Sequence, residues 1–457
     1  MMGRLRAWCR QQAALRLLYR TLTLRAIREK SMRRHAESLV SGFTFAPGEG
    51  WTHIVPVIEA QAMQPCRLPL TPTAHGVNVV GYLRGEFGLA ESARAYARAL
   101  MGYGVSVSLY NLELGVAHSM ADTSLVDRFD TDLPEKIAII FINPDYFATA
   151  LREIGEAKLD GKYVIACWFW ELERVPDHWQ PVFAQVDEVL VASSFIEQAV
   201  RNASDRPVLR APIPLVPLAR ADVDKAGFGL DPHAFLFLFT FDFNSWMERK
   251  NPAAVMEAFQ RAFPRGDEHV QLLIKTSNAN LHPQRFRELL DWAQGDARIV
   301  IRNGVITREQ MTALQACCDA YVSLHRAEGF GMGMAECMQL GKPVIATNWS
   351  GNMEFMDEDS AALVRHTLIP VSAEEYPDGQ GQRWAEPDTT HAAEWMGRLA
   401  RDPVFAAALG ERGRRHVHEV LSPDRVAAEI VARVDHIHSR WSASADDHAG
   451  FDARRGE

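Results

Sequence analysis

The chain has 457 residues, 47% of them hydrophobic and 23% charged, a composition typical of a globular protein but a length too great for one comfortable core. No apolar run reaches the roughly eighteen residues that a membrane-spanning helix needs, and arginines break every apolar stretch near the start, which argues against a secretory leader. The net charge of -9 hides an asymmetry, because residues 1–34 carry ten Lys or Arg against Glu29 alone. The remaining body is strongly acidic, which excludes nucleic acid as its main partner.

Residues 4–28 have the spacing of an amphipathic helix, with Trp8, Leu15, Leu18, Tyr19 and Leu22 on one side among arginines. Such a basic extension, residues 1–40, suits contact with an anionic membrane, packing on the acidic body, or docking of a partner protein. Residues 41–74, with Pro47, Pro56, Pro65, Pro69 and Pro72, read as a linker. From residue 75 to 215 short apolar strands alternate with helical stretches: 77–81, 105–110, 137–142, 163–168 and 188–192 are the strands. The proline-rich segment 207–217 reads as a crossing between domains. The alternation then restarts, over 216–440, with strands at 235–241, 270–275, 299–302, 320–324 and 343–347. Two such blocks predict an α/β protein of two doubly wound, Rossmann-like parallel sheets facing across a cleft, with ligands beyond the carboxyl ends of the strands. The last helix is a candidate to cross back to the first domain, and residues 441–457 read as a disordered tail.

Six cysteines (Cys9, Cys66, Cys167, Cys317, Cys318 and Cys337) form no C-x-x-C pair and have no histidine cluster at zinc spacing. They read as reduced thiols of a cytoplasmic protein, and no metal site or cofactor is expected. The most informative segment is Leu324-His325-Arg326-Ala327-Glu328-Gly329-Phe330-Gly331-Met332-Gly333-Met334-Ala335-Glu336. Here a strand ends, a glycine-rich turn carries Glu328, and a helix begins near Met332 with Glu336 one turn in. Glycines let backbone approach a ligand, and the helix start offers unpaired N–H groups to sugar or phosphate oxygens. A strand, Pro343 to Thr347, follows the turn Gly341-Lys342.

In a second segment, Phe241-Asp242-Phe243-Asn244 through Arg249-Lys250-Asn251-Pro252, two adjacent cations stand just before a helix. Cations there oppose the helix dipole, and a bound diphosphate would relieve that conflict. The third, Gly81 to Leu89 with Arg84, Gly85 and Gly88, joins the first strand to the first helix. It lacks the dinucleotide-binding G-x-G-x-x-G spacing. Trp168-Phe169-Trp170-Glu171 closes another strand, where aromatic and acidic residues suit a sugar acceptor and core packing explains the tryptophans equally well.

The Glu-x7-Glu spacing within E-G-F-G, followed by the G-K-P-V-I-A-T strand, resembles the signature of the family 4-like retaining glycosyltransferases of the GT-B fold. The resemblance implies that Glu328 binds donor-sugar hydroxyls and that Glu336 accepts from the ribose hydroxyls. The amides of Phe330, Gly331 and Met332 would hold sugar and phosphate oxygens. Lys250 matches the family's lysine on the departing diphosphate. The family's arginine just after the strand is missing, so Arg249 or Asn244 would partner Lys250. The loop with Arg84, Gly85 and Gly88 would close on diphosphate and acceptor. Glu171 stands near the place of a family histidine that touches the sugar, and Ser350, Gly351 and Asn352 would contact base or diphosphate. Trp384-Ala385-Glu386-Pro387-Asp388 resembles a segment of some relatives and has no evident role.

The resemblance therefore implies a metal-independent, retaining hexosyltransferase using a nucleoside-diphosphate sugar as cosubstrate. A glycan or lipid-linked acceptor of a surface polysaccharide is the expected partner, with peripheral contact at the inner face of the membrane through residues 1–34 as an option. The alternatives are a non-catalytic sugar-nucleotide-binding scaffold, and an epimerase or phosphorylase on the same fold.

Overall fold

The computed structural model describes residues 75–452, apart from 117, 219–223 and 294. The basic extension and the linker expected before residue 75 lie outside the described residues. The first sheet contains β1 (Val77–Gly81), β2 (Val107–Asn111), β3 (Ile137–Phe141), β4 (Tyr163–Cys167), β5 (Glu188–Val191) and β6 (Val208–Arg210) in the order β2-β1-β3-β4-β5-β6. Every pairing in it is parallel. Continuous apolar runs such as Ile137-Ala138-Ile139-Ile140-Phe141, buried along their whole length, are what a sheet covered by helices on both faces demands.

The second sheet contains β7 (Phe235–Asp242), β8 (Val270–Ser277), β9 (Ile299–Asn303), β10 (Ala320–Ser323), β11 (Val344–Thr347) and β12 (Ala362–Val364) in the order β12-β11-β10-β7-β8-β9, again parallel throughout. Strand order reverses between β1 and β3 in one sheet and between β7 and β10 in the other. Crevices open at such switch points. The loops leaving β1, β7 and β10 are the three glycine-rich or cationic segments singled out in the sequence. The fold is thus the two-domain GT-B arrangement that the resemblance implied.

Three features differ from the sequence reading. Part of the proline-rich crossing is the edge strand β6: prolines at 207 and 212 confine it to three residues, and an edge is where a strand tolerates them. Segment 366–387 forms an antiparallel hairpin of β13 (His366–Pro370) and β14 (Arg383–Pro387), which absorbs the Trp384–Asp388 stretch. The final helix runs from Pro423 to Asp452, into the stretch expected to be a disordered tail.

That helix packs on the helix Gly88–Tyr103 of the first domain, so the chain's end ties the two domains together. Arg433 grips Glu188 at the start of β5 with both Nε and Nη2, at 2.8–2.9 Å, and Glu188 is only 1% exposed. Arg433→Ala leaves a buried carboxylate without its cation. We expect it to lower unfolding free energy by about 2–3 kcal/mol, less than a fully buried pair would lose because Arg433 itself is partly exposed. Chemical denaturation of both proteins checks this. Among the described residues no helix is long and apolar enough to cross a membrane.

Candidate active site

The turn after β10 is fixed from behind. Gly351 donates its amide to the carbonyl of Glu328 at 2.8 Å, and the Ser350 hydroxyl accepts from the Glu328 amide at 2.8 Å. Asn352, with no accessible surface, accepts from the His325 ring on Oδ1 at 3.0 Å and donates to the Thr347 carbonyl at 3.0 Å. Ser350, Gly351 and Asn352 therefore brace the turn. This corrects the expectation that all three touch base or diphosphate, since the polar groups of Asn352 are engaged inside the protein.

Gly331 takes the left-handed conformation at φ 98° and precedes the helix Met332–Gln339, whose start no side chain caps. The Met334 amide donates to the Gly331 carbonyl at 3.0 Å, and no side chain caps the amides of Met332 and Gly333 before it. Phe330 packs on Phe355, and Phe330 and Met332 line a cavity of about 260 Å³ between the domains.

Glu328, 7% exposed, receives Lys250 on one carboxylate oxygen and the Arg249 guanidinium on the other at 3.2 Å. The same guanidinium donates to the Ala327 carbonyl at 2.9 Å and lies 3.7 Å from Glu171, which reaches in from the first domain. Tyr376 donates its hydroxyl to Glu171 at 2.7 Å and sets its ring beside Arg249. Thus Glu328, Lys250, Arg249 and Glu171 form one cluster, and Arg249 stands as the partner of Lys250. Asn244 does not join them; its side chain pairs with His282 at 2.8 Å, and its amide donates to Asp242.

The supposed dipole conflict at Arg249 and Lys250 is absent. Both occupy the last turn of a short helix, Met247–Lys250, where cations are favoured, and the left-handed Asn251 separates it from the helix Pro252–Ala262.

Burial alone would raise the Glu328 carboxyl, but Lys250 and Arg249 outweigh it and hold the group at about 2. A lowered folded value means that the pairing stabilises fully above the ordinary value of 4.5 and loses that contribution as pH falls toward 2. Wild-type melting temperature should therefore drop more steeply than that of Glu328→Gln between pH 4.5 and 2, as calorimetry at stepped pH would show.

Glu336, also 7% exposed, faces the cavity and is held by Arg308 at 2.7 Å and by the Gln315 amide at 2.8 Å. Neither partner was picked out from sequence. Arg308 had a visible signal, because Thr307 and Gln310 form a capping box that starts a helix at a strand end.

The first-domain loop is braced by Arg94, another residue the sequence reading missed. It is buried, donates to the carbonyls of Leu83 and Gly85 at 2.9 and 2.7 Å, and pairs with Glu91 and Asp122. Gly85 sits in a tight turn, where a Cβ would strike Phe87 at 2.4 Å, whereas Gly88 has open space around it. Arg84 turns toward Glu113 at 4.0 Å and lines neither cavity described here. Trp168 and Trp170 pack against Trp179 in the core, which decides that question against stacking on a sugar.

The Trp384–Asp388 stretch acquires a role: Glu386 pairs with Arg326 at 2.6 Å, and Arg326 lies over the Trp384 ring, next to the Glu328 turn. From the hairpin's loop, Gly381 and Gln382 accept hydrogen bonds from Arg174 of the first domain at 2.8 and 2.9 Å. A second cavity, about 180 Å³, adjoins the ends of β7 and β8 and shares Arg308 with the first. Among the described residues no group of three or more His, Cys, Asp or Glu could hold a metal ion.

Comparison with known proteins places a family match on the second domain. Residues 235–375, the span holding both the cationic loop and the Glu-x7-Glu turn, match the family model described as Glycosyl transferases group 1. The MMP alpha-(1->4)-mannosyltransferase of Mycolicibacterium hassiacum is 27% identical over 195 residues, 42% of each chain. The trehalose synthase of Rubrobacter xylanophilus is 23% identical over 270 residues, 55% of this chain and 59% of its own length. The chain thus spans about half the length of the curated relatives it matches. Among solved structures, the sucrose-phosphate synthase of Thermosynechococcus elongatus superposes with a TM-score of 0.58 at 17% identity, over 80% of this chain and all of that one. Anabaena HepE, solved in complex with UDP and glucose, gives 0.55 at 12% identity over 79% of this chain and all of that one.

Proposed function

We propose that this GT-B chain, whose residues 235–375 match the glycosyl transferases group 1 family, moves a hexose from a nucleoside-diphosphate sugar to an acceptor hydroxyl with retention of configuration. The observation that carries this reading is the cluster of Lys250 and Arg249 on Glu328, beside an uncapped helix start and with Glu336 one turn further on. Cations and open amides suit the diphosphate, and the two carboxylates suit hydroxyl pairs at either end of the donor.

In the reaction the bond between the sugar's C1 and the phosphate oxygen breaks, and its electron pair leaves with the diphosphate. Lys250, Arg249 and the first amides of the helix Met332–Gln339 meet that growing charge. The ionised Glu328 accepts from sugar hydroxyls and offsets the positive charge developing on the ring. The acceptor oxygen bonds to C1 on the face being vacated, and its proton passes to the leaving phosphate oxygen. Protein cations do this work, so a chelator should leave the rate unchanged. Contacts across the cleft, including Ser193 donating to the Gly329 carbonyl at 2.9 Å, would keep water from the reacting carbon.

The acceptor we favour is a glycan or lipid-linked saccharide of a surface polysaccharide, with the basic residues 1–34 attracting the protein to an anionic membrane. Loss of residues 1–40 without any change in membrane fractionation would contradict that placement. The UDP bound by Anabaena HepE makes UDP-sugars the first donors to try. The reaction itself is tested by incubating the protein with α-linked nucleotide sugars and following the first-formed free sugar by proton NMR. The α anomer appearing first supports retention; the β anomer first overturns it.

A further inference from the structure

Lys275 lies near the carboxyl end of β8, opposite Thr240 of β7, and is only 7% exposed. Among the described residues its ammonium has no hydrogen-bond or ion-pair partner. The charge it senses is that of Asp242, whose two oxygens already accept from the Asn244 amide at 2.8 Å and the Asn278 side chain at 2.7 Å. Burial pulls the ammonium down to about 8. The side chain is mostly buried, and its three donors, which no acceptor among the described residues takes up, are available to a ligand beside it.

Lys275 borders the second cavity, together with Asp242, Asn278, Thr307, Arg308 and, from the first domain, His118. Arg308 borders both cavities and holds Glu336. On the donor reading given above, on which this step rests, the sugar lies at Glu328, the diphosphate at Lys250 and the helix start, and the ribose at Glu336. The remaining part of the donor is its base, and the space joined to Glu336 through Arg308 is the second cavity.

We propose that this cavity takes the donor's nucleobase and that Lys275 selects among bases by donating a hydrogen bond to a ring carbonyl oxygen. Uracil, thymine and guanine offer such an oxygen, whereas adenine presents an amino group in the corresponding place. An adenine would set its amino group against the ammonium, donor against donor, so the site discriminates by a mismatch as well as by a new contact.

Titration calorimetry with UDP, GDP, ADP and inorganic pyrophosphate, on wild type and Lys275→Met, tests this. Wild type should bind UDP or GDP more tightly than ADP by roughly tenfold or more. In Lys275→Met that preference should collapse, through weaker binding of the favoured nucleotide, while pyrophosphate binds as before. The variant should melt no lower than wild type, because methionine fills the place of the buried stem and the charge removed has no hydrogen-bond or ion-pair partner among the described residues. A loss of pyrophosphate binding would place Lys275 on the phosphates and overturn the proposal, as would a base preference that survives the substitution. Failure of wild type to bind any of the four ligands would instead overturn the donor reading, and this inference with it.

Discussion

Lys250→Ala should lower sugar transfer by about 10²–10³-fold, or about 3–4 kcal/mol of transition-state stabilisation, with most of the loss in kcat. The reason lies in what Lys250 faces. In the ligand-free protein it pairs with Glu328, and Arg249 holds the other carboxylate oxygen at 3.2 Å, so the carboxylate keeps a cation when Lys250 is removed. The fold therefore loses little. On the proposed reaction the departing diphosphate, by contrast, loses a point charge at the stage when its own charge is greatest. Steady-state release of nucleoside diphosphate, measured on wild type, Lys250→Ala and Lys250→Arg, checks this. A rise in KM with kcat unchanged would mean that Lys250 binds the donor equally before and during bond breaking.

Gly351→Ala is expected to be the most damaging small substitution in the site. A Cβ at Gly351 would stand 2.0 Å from the Gly329 carbonyl oxygen and 2.7 Å from that of Glu328. Both are backbone atoms of the turn that carries the carboxylate, so no flexible side chain can yield. Overpacking of this kind costs about 1–3 kcal/mol, and a contact with rigid backbone belongs at the upper end. Because relief comes only by moving the Glu328 turn, activity should fall further than stability alone explains. Gly88→Ala is the control. Nothing lies within 4 Å of a Cβ there, and the residue opens a helix, so alanine should leave the melting temperature level or raise it slightly. Thermal denaturation and donor turnover of the two variants side by side separate the cases.

What the sequence made legible follows from how locally each feature is encoded. Most strands are short apolar runs between helical stretches, and central ones such as β1 and β3 are buried along their whole length, a pattern that a parallel sheet writes directly into the chain. Glu328 follows one strand, Arg249 and Lys250 lie in the short helix after another, and Glu336 is one turn into a helix, all near the carboxyl strand ends where doubly wound sheets gather chemistry. The residues that escaped notice act over long separations. Tyr376 meets Glu171 across 205 positions, and Arg433 meets Glu188 across 245, with no local periodicity to announce either pair. Arg94 looked like one more polar face of a helix, yet it is buried beneath the loop that it braces. The role of Asn352 inverted because a buried amide and an exposed one look alike in sequence. The Trp384–Asp388 stretch gained meaning only once its partner strand and Arg326 were beside it.

The central claim is that Lys250 and the turn of Glu328 receive a nucleoside-diphosphate sugar. It is tested most directly by thermal denaturation of wild type and Lys250→Ala with UDP-, GDP-, ADP- and dTDP-sugars. A donor at about one hundred times its dissociation constant adds about 2.7 kcal/mol of stability to the form that binds it. One nucleotide class should raise the melting temperature of wild type by several degrees and that of the variant by clearly less. No shift with any donor, or shifts of equal size in the two proteins, would contradict the account.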